Sequence, residues 1–240
     1  MKTDTTPEAR FRRLRIYNAA MGLFHAIQGV VILLIANEFA LPVTATFMEG
    51  PPGADAPSLD TLFDIRFAWG VAAFLFISAI AHWIIISPGV YPWYRRNLER
   101  NRNYARWIEY SISSSVMVVL IAMLTGISDV AALGGIFGVN AAMILFGLVQ
   151  EHYEEPGSKR WMPYWFGVLT GAVPWLLIGP FTLTGAHTAG ELGEWADRAA
   201  AGTGLASYFV HLLETSRLRE VVGHVRSSPG SLEDLILLLG

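Results

Sequence analysis

Glu109, Ser113 and Met117 recur at every fourth position of an apolar stretch, so on a helix they lie along one face. A carboxylate with a hydroxyl one turn above it can hold a cation or relay a proton. The same spacing suits a glutamate at a membrane surface paired with a loop arginine, beside serines that bond back to helix carbonyls. Spacing leaves both readings open. His25 and His82 lie in two other apolar stretches. An imidazole titrates near neutrality, so each can handle a proton or fill a hydrogen-bonded packing position. Asp64 stands beside Arg66 near the end of its stretch and is expected to reach water. Charge inside a membrane helix is costly, which makes Glu109, His25 and His82 functional candidates. No zinc motif, nucleophile elbow or phosphate loop is present, so no catalytic or metal-ligating residue is assigned and no enzyme is expected.

The elements that must carry these groups are membrane helices. Hydrophobic residues make up 53% of the 240-residue chain, and charged residues only 15%. Mean hydropathy is +0.42. A net charge of −3 gives no reason to expect nucleic acid as a partner. The chain has no cysteine, which excludes disulfides and thiol chemistry. About 20 apolar residues cross the bilayer core as a helix, and a helix pairs all its own backbone groups there. Five stretches qualify: Ile16 to Ala36, Leu62 to Ile86, Trp107 to Thr125, Val130 to Val149 and Trp161 to Gly179. No small-residue cleavage site follows the first, so it reads as a retained helix. The fold class expected is an all-α membrane protein.

Loop charge sets orientation. Arg10, Arg12, Arg13 and Arg15 precede the first span, and Arg95, Arg96, Arg100, Arg102 and Arg106 follow the second. Lys159 and Arg160 follow the fourth, whereas Asn37–Thr61 has no basic residue and the turn after the third span has none. This alternation predicts a multi-pass protein of the cell membrane with a cytoplasmic N-terminus. In that frame, a rise of about 1.5 Å per residue puts His25, His82 and Glu109 in the cytoplasmic half, where three helices can share one polar cavity. The Pro-rich segment Asn37–Thr61 is either a short outer hairpin, starting with Phe39–Phe47, or a disordered loop. Gly134 and Gly138, with Gly135 beside them, allow close helix packing inside the bundle or a dimer face.

Composition changes after Gly179. Gly, Ala, Thr, Arg and Glu dominate residues 180–240, and the longest uncharged stretch, Ala199–Leu213, is short for a span. Leu205–Val225 reads as an amphipathic surface helix or as disorder.

The run Arg106-Trp107-Ile108-Glu109-Tyr110-Ser111-Ile112-Ser113-Ser114-Ser115-Val116-Met117 resembles the third-helix signature of heliorhodopsins. Asn37–Pro42 continuing to Glu49–Gly53, Ile136–Gly147, Pro163–Gly167 and Val173–Trp175 agree with it in order. The resemblance covers about residues 11–179, so residues 1–179 are expected to form a rhodopsin-like helical bundle with five of an ancestral seven transmembrane helices. Residues 180–240 are a divergent tail without recognisable helices 6 and 7, either a real variant or the product of a shifted frame. The resemblance implies a retinal-binding, light-sensing, non-pumping protein in the lipid bilayer, often a homodimer, with retinal as cofactor. It implies that Glu109 is the Schiff-base counterion and that His25 and His82 line a cytoplasmic-side cavity. It places Ser113 and Met117 near the Schiff base or retinal, with Asn140, Met143, Trp165 and Pro174 in segments lining the pocket. The family's retinal lysine lies in helix 7. This chain has only Lys2 and Lys159, both outside the expected spans. A non-photoactive membrane scaffold or signalling partner derived from the same fold is the competing reading.

Overall fold

A computed structural model describes residues 7–48, 50–51, 53, 58–155 and 157–189. The surface-helix or disorder reading of Leu205–Val225 lies outside these residues. Helix α1 spans Pro7–Leu34, followed by strands β1 (Ala40–Phe47) and β2 (Ser58–Arg66). Helices α2 (Phe67–Ile86), α3 (Tyr91–Glu99), α4 (Tyr104–Leu124), α5 (Val130–Tyr153) and α6 (Met162–Ala189) complete the order. Five of these six helices are long and apolar enough to cross a membrane, and α3 is the exception. The fold is a helical membrane bundle, as the apolar runs predict, with one added hairpin.

The long helices pack in sequence order: α1 on α2, α2 on α4, α4 on α5, and α5 on α6. Helix α4 is central and buries side chains toward both neighbours, including Trp107, Ser111, Ser113, Ser115, Val118 and Ala122. Small residues let large ones approach. A Cβ at Gly22 or Gly29 of α1 would collide with the rings of Trp83 or Phe76 of α2, and one at Gly147 of α5 would collide with Trp107. Leu23, Phe24, Ile27, Val30 and Val31 instead point outward from α1, as side chains facing lipid should. Gly134, Gly135 and Gly138 also face outward, with nothing within 4 Å of a Cβ at any of them. Close packing inside the described bundle is therefore not their role.

The segment after α1 resolves as an antiparallel hairpin, with Ala40 opposite Arg66 and Phe47 opposite Ser58. This shortens the second span relative to the sequence expectation. Leu62–Arg66 belong to β2, not to a helix, because they pair with β1 and α2 starts at Phe67. Asp64 is accordingly an exposed strand residue, and Arg66 pairs with Glu38 at 2.8 Å. The hairpin is docked. Thr44 N–H donates to Ser128 O at 2.8 Å, and the Thr44 and Ser128 hydroxyls lie 2.9 Å apart. Val43 joins Val118, Ala122, Ile127, Leu133, Ile136 and Ile178 in one buried apolar cluster that closes this end of the bundle.

Local signals explain the helix ends. Helix α4 stops at a Schellman turn: Gly126 has φ +100°, its N–H reaches Met123 O, and Ile127 N–H reaches Ala122 O. Asp129 then caps α5, accepting from the N–H groups of Ala131 and Ala132 at 3.0 and 2.9 Å. Helix α3 was not foreseen in the basic loop. It ends in the same motif, with Asn101 at φ 57° in the left-handed position. Its Tyr91 hydroxyl donates to Phe11 O, and buried Tyr94 anchors it. Burial pushes the Tyr94 phenol up to about 12, against the opposing pull of Arg106.

Helix α6 runs ten residues past the expected end at Gly179, through Pro180 to Ala189. Pro180 has no N–H to offer Leu176 O, a loss that membrane helices tolerate. The Thr182 hydroxyl donates back within its own helix, to Gly179 O at 2.8 Å and to Ile178 O at 3.2 Å.

The hairpin and the α4–α5 turn lie at one end of the bundle, and α3 lies at the other. Of the described basic residues, Arg66 alone sits at the hairpin end. The arginines of α1, those around α3, and Lys159 and Arg160 share the opposite end. Replacing Asp129 with alanine removes the α5 cap and should lower stability by about 1 kcal/mol. Asp129→Asn should retain most of it, as read by unfolding in mixed micelles.

Candidate functional site

One stripe of α1 carries Leu14, Asn18, Gly22, His25 and Gly29, the seam that faces α2. With Trp83 seated on Gly22, His82 of α2 comes opposite this stripe. Its ring stacks on that of His25, with centroids 5.7 Å apart and planes 13° from parallel. His82 Nδ1 lies 2.7 Å from Asn18 Oδ1, and Asn18 Nδ2 donates to Leu14 O at 2.9 Å. His25 Nδ1 lies 3.2 Å from Gln28 Oε1. Asn18 is 0% exposed, so its amide fixes the position of the His82 ring.

Glu109 approaches the same region from α4. Ser78 of α2 donates to Glu109 Oε1 at 2.6 Å, and Ser113 supplies a second hydroxyl. His25 is close enough to act on the carboxylate electrostatically. No described loop arginine pairs with Glu109, so the surface ion pair is not formed. The other half of that alternative does hold. Ser111, Ser114 and Ser115 donate back to Ile108 O, Tyr110 O and Ser111 O. The result is a set of polar groups from α1, α2 and α4 on one side of α4, able to hold a charge or share protons.

The opposite side of α4 has a second polar contact. Buried Asn140 of α5 donates to the hydroxyls of Ser114 and Ser115 at 2.9 and 3.1 Å. Met143 is half-buried on α5 and Pro174 is buried on α6. These residues therefore lie across α4 from Glu109 and Ser113. Met117 is half-buried along the Glu109 face. Trp165 is not brought into either group: it is 60% exposed and meets Tyr164 edge-on. Its place in the first turn of α6, near the basic end, accounts for that, since indoles favour the interface.

Sequence reasoning missed Asn18, Ser78 and Glu151. Asn18 was detectable as a polar residue on the stripe of His25. Ser78 had no such signal, because a lone serine in an apolar helix usually bonds its own backbone. Glu151 lies beyond the expected end of the fourth span at Val149, yet its Oε2 accepts from Trp107 Nε1 at 2.7 Å and from Asn103 N–H at 3.0 Å. It ties the end of α5 to the start of α4.

Five helices long and apolar enough to span a membrane, with a carboxylate and paired imidazoles between α1, α2 and α4, fit a rhodopsin-like helical membrane bundle. A sequence model of the heliorhodopsin family matches residues 14–195, about three quarters of the chain. The chain belongs to the heliorhodopsin family. The match extends past Gly179, where the sequence resemblance was expected to stop. A search of curated proteins returned no match.

The two bonds made by Asn140 link α4 and α5 in mid-span, apart from the Trp107–Glu151 bond at the basic end. Ser114 and Ser115 keep their own carbonyl acceptors when Asn140 is removed. Asn140→Ala should therefore destabilise by about 1 kcal/mol, the scale of hydrogen bonds between membrane helices. Denaturant titration in micelles reads this directly. An unchanged midpoint would show that the node is unimportant to stability.

Proposed function

We propose that this protein is a heliorhodopsin-type light-sensing membrane protein that does not pump ions, with its N-terminus in the cytoplasm. The observation that carries the reading is Glu109. It sits inside a matched heliorhodopsin chain, held by Ser78 and Ser113 beside His25 and His82. In this reading Glu109 is the counterion of a retinal cation, and the two histidines form the polar cavity on the cytoplasmic side. The charge distribution supports the orientation, because basic residues gather at the N-terminal end of the bundle. The outward-facing Gly134, Gly135 and Gly138 support a homodimer.

Retinal fits this chain only in part. The carboxylate partner is present. Covalent attachment requires a lysine inside the bundle, and Lys159, the lysine among the described residues, is exposed in the α5–α6 loop. The other, Lys2, precedes the first span. The residues present do not fit a Schiff-base linkage. This mismatch favours a second reading, a non-photoactive scaffold or signalling partner built on the heliorhodopsin fold.

Absorption spectroscopy of the full chain with all-trans retinal separates them. No red-shifted Schiff-base band is expected. Saturable one-to-one retinal binding with a light-dependent spectral change supports light sensing, and absence of binding leaves the scaffold. A red-shifted band that hydroxylamine bleaches and Glu109→Gln displaces would overturn the statement that attachment is missing.

A further inference from the structure

Helix α3 lies between the end of α2 at Ile86 and the start of α4 at Tyr104, so it sits where the bundle meets the membrane surface. It is held there firmly. Tyr91 bonds to the α1 backbone, Tyr94 is buried, and Arg95 bridges Glu8 and Glu99 while lying over the Phe11 ring. This inner face leaves a different one free. Trp93 and Arg96, three residues apart, share one exposed stripe, and Arg100, the residue that caps the helix, is exposed just beyond it. The Trp93 ring is 37% exposed and adjoins Tyr104. Among the described residues no carboxylate pairs with Arg96 or Arg100.

This surface combines an interfacial indole with two free guanidinium groups on a helix that is already ordered. Indole rings settle at headgroup depth, and guanidinium groups bind phosphate through paired N–H donors. The local field has the matching sign. Arg12, Arg13 and Lys159 are further exposed cations at this end, whereas Glu8, Glu99 and Glu154 are engaged by Arg95 and Arg160.

We infer that the Trp93–Arg96–Arg100 face of α3 is a binding site for the headgroup of an anionic phospholipid. The lipid phosphate is held by Arg96 and Arg100, and Trp93 packs against the glycerol and upper acyl region. Because α3 is pinned to α1 and α4, the bound lipid secures the basic end of the bundle. The site needs no retinal and stands apart from the light-sensing reading.

The full chain in neutral detergent, supplied with phosphatidylglycerol or phosphatidylcholine, tests this by native mass spectrometry of retained lipid. Phosphatidylglycerol should be retained preferentially. The double substitution Arg96→Gln with Arg100→Gln should weaken its retention roughly thirtyfold, on the scale known for two basic residues at anionic membranes. Arg96→Lys with Arg100→Lys should restore only part of it, because an ammonium keeps the charge and loses the paired donors. Trp93→Ala should weaken both lipids with little change in preference. Circular dichroism checks that each variant is folded, and Arg96→Gln alone should show an intermediate loss if the double variant is not. Equal retention of the two lipids, or unchanged preference in the glutamine variants, would overturn the site. Competition by free inorganic phosphate as effective as that by the lipid would also overturn it, in favour of a phosphate site.

Discussion

Hydrocarbon offers no hydrogen bonds, and most of this structure follows from that constraint. Backbone groups are satisfied within helices, so five apolar runs become five spans. Polar side chains have no such automatic solution. Each must find a partner on a neighbouring helix or on its own backbone. Asn18 finds His82 and Leu14 O, Glu109 finds Ser78, and Asn140 finds Ser114 and Ser115. The inner faces are therefore polar at a few chosen points, and the outer faces are apolar.

Helix α4 gathers these partners because it packs against both α2 and α5. Its serines have two kinds of work. Ser111 and its neighbours bond to the helix backbone, which leaves Ser114 and Ser115 oxygens available to Asn140. Ser113 instead faces the carboxylate. One helix thus separates an acidic, histidine-flanked side from a neutral amide side. The close approach of α1 to α2 rests on glycine: Gly22 and Gly29 receive Trp83 and Phe76, and this register places the histidine rings in contact.

The two ends of the bundle are closed differently. At the hairpin end, an apolar cluster joins β1 to α4, α5 and α6. At the opposite end, closure is polar. Glu151 accepts from Trp107 and Asn103, while Gln150 accepts from Tyr164 N–H and donates to Arg160 O. That end also concentrates positive charge, and α3 converts part of the basic loop into an ordered surface. Glu109 and the two histidines lie between the two ends, on the α1–α2 side of α4.

The sequence by itself determined the spans, because hydropathy over about 20 residues reports transfer into lipid whatever the neighbours are. It also determined that Glu109, Ser113 and Met117 share a face, and that basic residues alternate between loops. It did not determine where α2 begins, since Leu62–Arg66 are as compatible with an apolar helix as with a strand. Pairing with β1 decided that. It did not determine the end of α6, because Pro180 stops helices in water but is tolerated within a packed apolar helix. Only tertiary structure decided that Glu109 answers Ser78 and not a loop arginine, that His25 stacks on His82, and that Trp165 points outward. Those contacts join residues far apart in sequence, and helix rotation and register set them. Local sequence carries the period of a helix, but the choice of neighbour comes from packing one side chain into the gap another leaves.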